Sequence, residues 1–195
     1  MARIPAFNRE NARDAALKLF WSRGYTATSL PDLLDAMGIA RSSFYAAFGD
    51  KRSLFIECLE LFGDRTRDIL LEGARDDDSL AAIHQFFHKT ISEVPLSRLS
   101  CGCMMVNSIL ELSDVDAELQ NLAREKLDAI ETEFARLLSE SQTQGKIAQQ
   151  PTAAEFARAV MNLNLGVRVQ SRKHPDPITL QHTVDTSLAL MGLAA

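Results

Sequence analysis

From Arg9 to Arg23 the apolar positions Ala12, Ala15, Ala16, Leu19 and Phe20 recur at three- and four-residue spacing, which predicts an amphipathic helix closed by Gly24. Thr28 or Ser29 then caps a second helix through Leu33, Leu34 and Ala36 to Gly38, with Pro31 in its first turn, where a missing N–H costs little. A third begins near Arg41, with Phe44 and Phe48 spaced to pack inward. Two short helices joined by a tight glycine-containing turn make a helix-turn-helix.

The apolar pattern stays helical to the end of the chain. A fourth helix runs from Lys51 through Leu54, Phe55, Cys58, Leu59 and Phe62 to about Leu71 and links the two parts. Asp76, Asp77 and Asp78 with Ser79 form a loop and then a cap for a fifth, Leu80 to about Glu93, which Pro95 stops. A sixth, capped by Ser100, contains the cluster CGCMMVN, Cys101 to Asn107, and a seventh runs from near Asp114 to about Thr143, where Gly145 breaks it. Thr152 and Glu155 read as a capping box for an eighth, which continues to about Ser171. After Pro175 and Pro177 comes a last helix, Ile178 to Met191. The expected fold is all-α: a three-helix helix-turn-helix domain over residues 1–52, and a larger helical domain over 53–195.

Composition narrows the class. Nearly half the residues are hydrophobic and low-complexity tracts and repeats are absent, so a packed core is expected. No run approaches the roughly 18 apolar residues needed to span a bilayer, and the start, MARIPAFN, carries no stretch long enough for a secretory signal, so a cytoplasmic protein with no membrane partner is expected. Three cysteines, one far from the others, predict free thiols. The net charge of −5 argues against nucleic acid until it is divided: through Phe55 eight basic residues face five acids, giving +3 and leaving −8 for the rest. A basic front on an acidic body suits a DNA-reading module on a regulatory domain.

In a helix-turn-helix the second helix enters the major groove led by its N-terminal residues. Here Arg41 can donate two hydrogen bonds to a guanine edge, and Ser42, Ser43 and Tyr45 can reach bases or phosphates. Lys51 would neutralise a flanking phosphate, and Thr28, at a helix N-terminus, could add another phosphate contact.

The stretch RGYTATSLPDLLDAMGIARSSFYAAFGDKRSLF resembles the DNA-binding domain of the TetR family of transcriptional repressors. The resemblance implies a homodimer that binds a palindrome in double-stranded operator DNA and is released by a small-molecule effector, the last two helices forming the dimer's four-helix bundle. Ala40 stands where members often carry a capping Ser or Thr, at a cost of roughly 1 kcal/mol, and Ala46 and Ala47 replace common aromatic or histidine residues.

The cysteine cluster raises a second question. With Ser100 as N-cap, Cys101 and Cys103 fall in the first helical turn, where N–H groups and dipole enrich the thiolate. Two residues apart they point about 200° away from each other and cannot easily chelate one ion. Cys103 shares a polar face with Asn107 and Glu111, while Cys101 shares a packing face with Met105 and Leu112. The segment CGCMMVNSILEL is similar to a family subgroup with a Gly-Cys motif, some members of which respond to electrophiles through that cysteine; Met104 stands in place of leucine, and Arg172 is the nearest match to a basic residue approaching the thiol. Cys103 is thus either an electrophile sensor or the wall of a pocket for a non-covalent effector.

No catalytic residues and no cofactor are expected, since neither a glycine-rich phosphate loop nor a nucleophile elbow appears. His84 and His88 have a spacing that can hold a metal but lack the metalloprotease glutamate between them, and no metal is expected there. The competing class is an all-helical enzyme or metal-binding protein whose site assembles from distant residues.

Overall fold

The computed structural model describes residues 7–74 and 78–194, so the loop reading of Asp76 and Asp77 lies outside it. Among the described residues there are ten helices and no strand. The head is built from α1 (Arg9–Arg23), α2 (Leu30–Met37) and α3 (Arg41–Phe48). Ser29, not Thr28, caps α2: its side chain accepts from the Asp32 N–H, and Asp32 accepts in return from the Ser29 N–H. Asp32 sits below the usual carboxylate range because the Ser29 hydroxyl and N–H bond to it. Ala40 gives α3 no side-chain cap, as its methyl requires.

The body comprises α4 (Lys51–Gly73), α5 (Ser79–Ile91), α6 (Leu96–Leu99), α7 (Met104–Glu111), α8 (Ala117–Thr143), α9 (Ala153–Lys173) and α10 (Pro177–Leu190). The carboxylates of Asp50, Asp78, Asp116 and Asp176 accept from first-turn N–H groups of α4, α5, α8 and α10, and Thr152 with Glu155 forms the expected box on α9. Packing rather than propensity holds these long helices, with α4 against α1, α5, α7 and α8, and α9 between α8 and α10.

Aromatic contacts join head to body. Phe20 meets Phe55 edge-on with ring centroids 4.9 Å apart, Trp21 meets Phe62 at 4.9 Å, and Tyr25 lies 4.8 Å from Phe55. The Arg9 guanidinium lies over the Phe48 ring and bonds Glu57 at 2.7 Å, tying α1 to α3 and α4. Arg52, at the start of α4, pairs with Asp116 at 2.7 Å and Glu118 at 2.6 Å, which anchors the α8 N-terminus to the same junction.

The cysteine segment departs from expectation. The expected sixth helix is two pieces: Pro95 opens the single turn of α6, and Ser100 is its C-cap, with its hydroxyl donating to the Ser97 carbonyl. The chain turns at Gly102, and Cys103 is the N-cap of α7. Cys101 therefore lies outside any helix, and the helical-face argument that paired it with Met105 and Leu112 does not hold. All three thiols are free.

Candidate DNA-reading face and effector cavity

On α3, Arg41, Ser42 and Tyr45 are exposed and Ser43 is half-buried, while Phe44 and Phe48 fill the core beneath. This is the division that the sequence spacing predicts. Lys51 is more constrained than expected: its ammonium lies 4.4 Å from the Tyr25 ring centroid, and burial pulls its pKa down. Thr28 overturns its reading as a phosphate contact. It is fully buried, and its hydroxyl donates to the Gly24 carbonyl at 2.6 Å. A threonine next to the true cap was free to serve the turn from inside.

Beneath the head lies a cavity of about 210 Å³. Leu17 and Trp21 of α1, Phe62 and Ile69 of α4, Val94, Leu99, Met105 and Ile130 give it apolar walls, and Thr90, Cys103, Asn164 and Arg168 supply polar atoms. Because α1 belongs to the head, the cavity is shared between the two parts. Trp21 closes it with an Nε1–H donated to the Gly102 carbonyl at 3.1 Å.

The four residues expected at one effector site divide between two places. Cys103 lines the cavity, whereas Asn107, Glu111 and Arg172 line a separate groove beside Ser22, Arg23 and Gly24. Asn107 donates to the Cys101 carbonyl at 2.9 Å, which steadies the turn. Glu111, the last residue of α7, accepts from the backbone N–H groups of Tyr25 at 3.0 Å and Thr26 at 2.6 Å. Its function in the fold is to tie the body to the α1–α2 loop.

Thiol electrostatics also differ from expectation. Burial pushes the Cys103 thiol up, and this outweighs the Arg168 charge and the Met105 and Val106 N–H groups, which pull it down. The helix N-terminus acts as predicted on sign but loses to desolvation. Cys101 is also raised by burial, opposed by Arg172. The basic neighbour of Cys103 is therefore Arg168, one turn before Arg172, which faces Cys101 instead. Asn164 and Arg168, polar residues at i and i+4 among Val160, Met161 and Val167, were the sequence signal for this buried pair.

His84 and His88 do not converge: His84 Nε2 lies 2.8 Å from the Leu193 carbonyl oxygen, and His88 Nδ1 lies 3.2 Å from Glu93.

A three-helix head with an exposed helix-turn-helix, carried on an all-helical body that encloses a cavity against it, defines a helix-turn-helix transcriptional regulator. The chain belongs to the TetR family: the profile of the bacterial regulatory proteins, tetR family, matches residues 12–58, and that of the tetracyclin repressor-like C-terminal domain matches 78–187. It is 27% identical over 193 residues to the HTH-type transcriptional repressor ComR of Escherichia coli, covering 96% of this chain and 90% of that one. The uncharacterized HTH-type regulator YezE of Bacillus subtilis is also 27% identical, over 98% and 100% of the two chains. Among solved structures, a cysteine mutant of the TetR family regulator CifR in complex with a 26 bp double-strand operator is 28% identical, with a TM-score of 0.73 over 96% of this chain and 98% of that one. A TetR regulator from Chloroflexus aurantiacus has the same fold, with a TM-score of 0.82 over 95% and 94% of the chains at 21% identity.

Proposed function

We propose that the protein is a repressor that binds a palindromic operator as a homodimer and is released by a small effector held in the cavity. The observation that carries this reading is the polar face of α3. Arg41 and Ser42 open the helix and Tyr45 follows one turn on, all exposed, and among the described residues their side chains make no hydrogen bond or ion pair. A guanidinium with no internal partner, at the position that meets the major groove, is suited to a guanine edge. The related CifR chain, which is complexed with a 26 bp double-strand operator, supports operator binding by this chain.

A short recognition helix reads too few bases alone, and a twofold dimer doubles the site. The outward apolar side chains of the last two helices favour that assembly: Val169, Ile178 and Leu190 are 56%, 79% and 84% exposed. The reading head is assigned to residues 1–52 and the effector and dimer part to 53–195, with α4 as the link between them.

Gel shifts with a palindromic fragment from the protein's own promoter, run across a salt series, test the repressor reading; absence of specific binding at any salt would overturn it. Arg41→Ala should lose roughly 1–3 kcal/mol, about 5- to 150-fold, at one base position of each half-site. Uniform weakening on every sequence would make Arg41 a phosphate contact instead.

A second, covalent reading rests on Cys103 lining the cavity beside Arg168, where an electrophile small enough to enter would meet the thiol. Burial sets the expected order of reaction. In native protein at neutral pH, iodoacetamide should label Cys101 first, while Cys103 and Cys58, both buried and both raised in pKa, remain protected. Mass spectrometry of a time course checks this, and Cys103 labelling ahead of Cys101 would favour the covalent switch.

A further inference from the structure

We propose that the cavity takes a compact organic acid, its carboxylate held by Arg168 and its apolar body lying against Trp21, Phe62 and Ile130. This rests on the reading of the cavity as the effector site and adds the chemical class of the effector.

Arg168 is only 8% exposed. Its Nε–H donates to Asn164 Oδ1 at 3.2 Å, Nη1 to the Thr90 carbonyl at 2.9 Å and Nη2 to Thr90 Oγ1 at 2.6 Å. All three acceptors are neutral. A guanidinium has five N–H groups, so one on each terminal nitrogen is left over. Among the described residues Arg168 forms no ion pair, and its titratable neighbour is the buried Cys103 thiol. An unpaired buried cation is costly, whereas a paired, hydrogen-bonded one is tolerated. In a chain whose part beyond Phe55 carries −8, the absence of an acid beside this buried guanidinium among the described residues leaves a counter-ion to come from outside.

The surroundings agree in sign. Lys18, Arg65, Arg98 and Arg168 line the cavity against the single acid Asp14, which is already bonded to Arg65 at 3.0 Å. Thr90 occupies the parallel N–H pair of the two terminal nitrogens, so the two N–H groups left over point to opposite edges of the guanidinium, and a carboxylate would take one of them in a single charge-assisted bond. Size limits the rest of the molecule. At about 210 Å³ the space is below the roughly 300–1,000 Å³ of drug-sized sites, and its walls are mainly apolar, so a small aromatic or branched aliphatic acid fits better than a polyanion.

The chain has a single tryptophan, Trp21, which lines both this cavity and the groove beside Arg172, so its fluorescence reports binding at either and the Arg168 variants assign the signal to the cavity. Benzoate and hexanoate are titrated at pH 8 against their neutral amides, benzamide and hexanamide. Each acid should change Trp21 emission saturably and bind at least tenfold more tightly than its amide. Arg168→Met should abolish that preference while leaving the weak amide binding in place, and Arg168→Lys should restore part of it. Thermal melts of the variants check that they are folded. Equal binding of acid and amide, an acid preference that survives in Arg168→Met, or no emission change with either acid would overturn the proposal. Acids that bind through Arg168 yet leave the operator complex intact in gel shifts would uphold the ligand class and overturn the cavity's role as the effector site.

Discussion

Gly24→Ala is expected to lower the free energy of unfolding by about 3–5 kcal/mol, the largest loss of any glycine-to-alanine change in the head. Two costs combine. Gly24 has φ +86° and ψ 176°, a region essentially reserved for glycine, where a side chain costs of order 1–3 kcal/mol. An added Cβ would also fall 2.5 Å from Glu111 Oε2, so the carboxylate must withdraw. Moving a side-chain tip is cheap by itself. Here it breaks the bonds to the Tyr25 and Thr26 N–H groups, worth about 1.5–3 kcal/mol each when the acceptor is charged, partly returned by water at the exposed Thr26. Gly38 is the control. It is also left-handed, at φ +64°, but nothing lies within 4 Å of its would-be Cβ, so Gly38→Ala should lose only about 1–2 kcal/mol. Urea midpoints of the two variants decide the matter: equal losses would mean that the Glu111 collision contributes nothing. In Glu111→Ala/Gly24→Ala the two effects should be less than additive, because the same bonds are lost once.

That loop shows what sequence could and could not provide. The capping box at Thr152/Glu155, the inward Phe44 and Phe48, and the α1 boundary all follow from local chemistry, and local chemistry is what a sequence displays. The division of the sixth helix did not, because Ser100 obeys the N-cap rule as well as it serves as a C-cap, and the Gly102 that separates the cysteines was the overlooked signal. Once the helix starts at Met104, Cys103 leaves the face that Asn107 and Glu111 still share, since 100° per residue holds only inside a helix. Glu111 looked like pocket lining because its partners, the Tyr25 and Thr26 amides, lie about 85 residues earlier in the chain. Arg168 was passed over for Arg172 for a similar reason: burial, not charge, distinguishes them, and burial is a tertiary property.

Glu111→Ala should leave the fold and most operator affinity intact while disconnecting the cavity from the reading head. The geometry makes α7 a short bar, eight residues and so about 12 Å long, with Cys103 and the cavity at its N-terminal end and Glu111 gripping the α1–α2 loop at the other. A ligand that displaces the N-terminal end must move the loop that leads into α2, provided the grip holds. With alanine the head still docks through Phe20, Trp21 and Tyr25 on Phe55 and Phe62, so it stays folded but is no longer driven. Amide hydrogen exchange at Tyr25 and Thr26 should accelerate about 10- to 150-fold, matching the loss of about 1.5–3 kcal/mol of bonding. Coupling between effector and operator, generally about 5- to 150-fold, should fall towards one, and by reciprocity the ligand should then bind free and operator-bound protein nearly equally. Trp21 fluorescence titrations with and without operator measure that ratio. If exchange at both amides is unchanged and the ratio is the same as in the parent protein, α7 does not carry the signal, and the Trp21–Gly102 contact is left as the route between cavity and head.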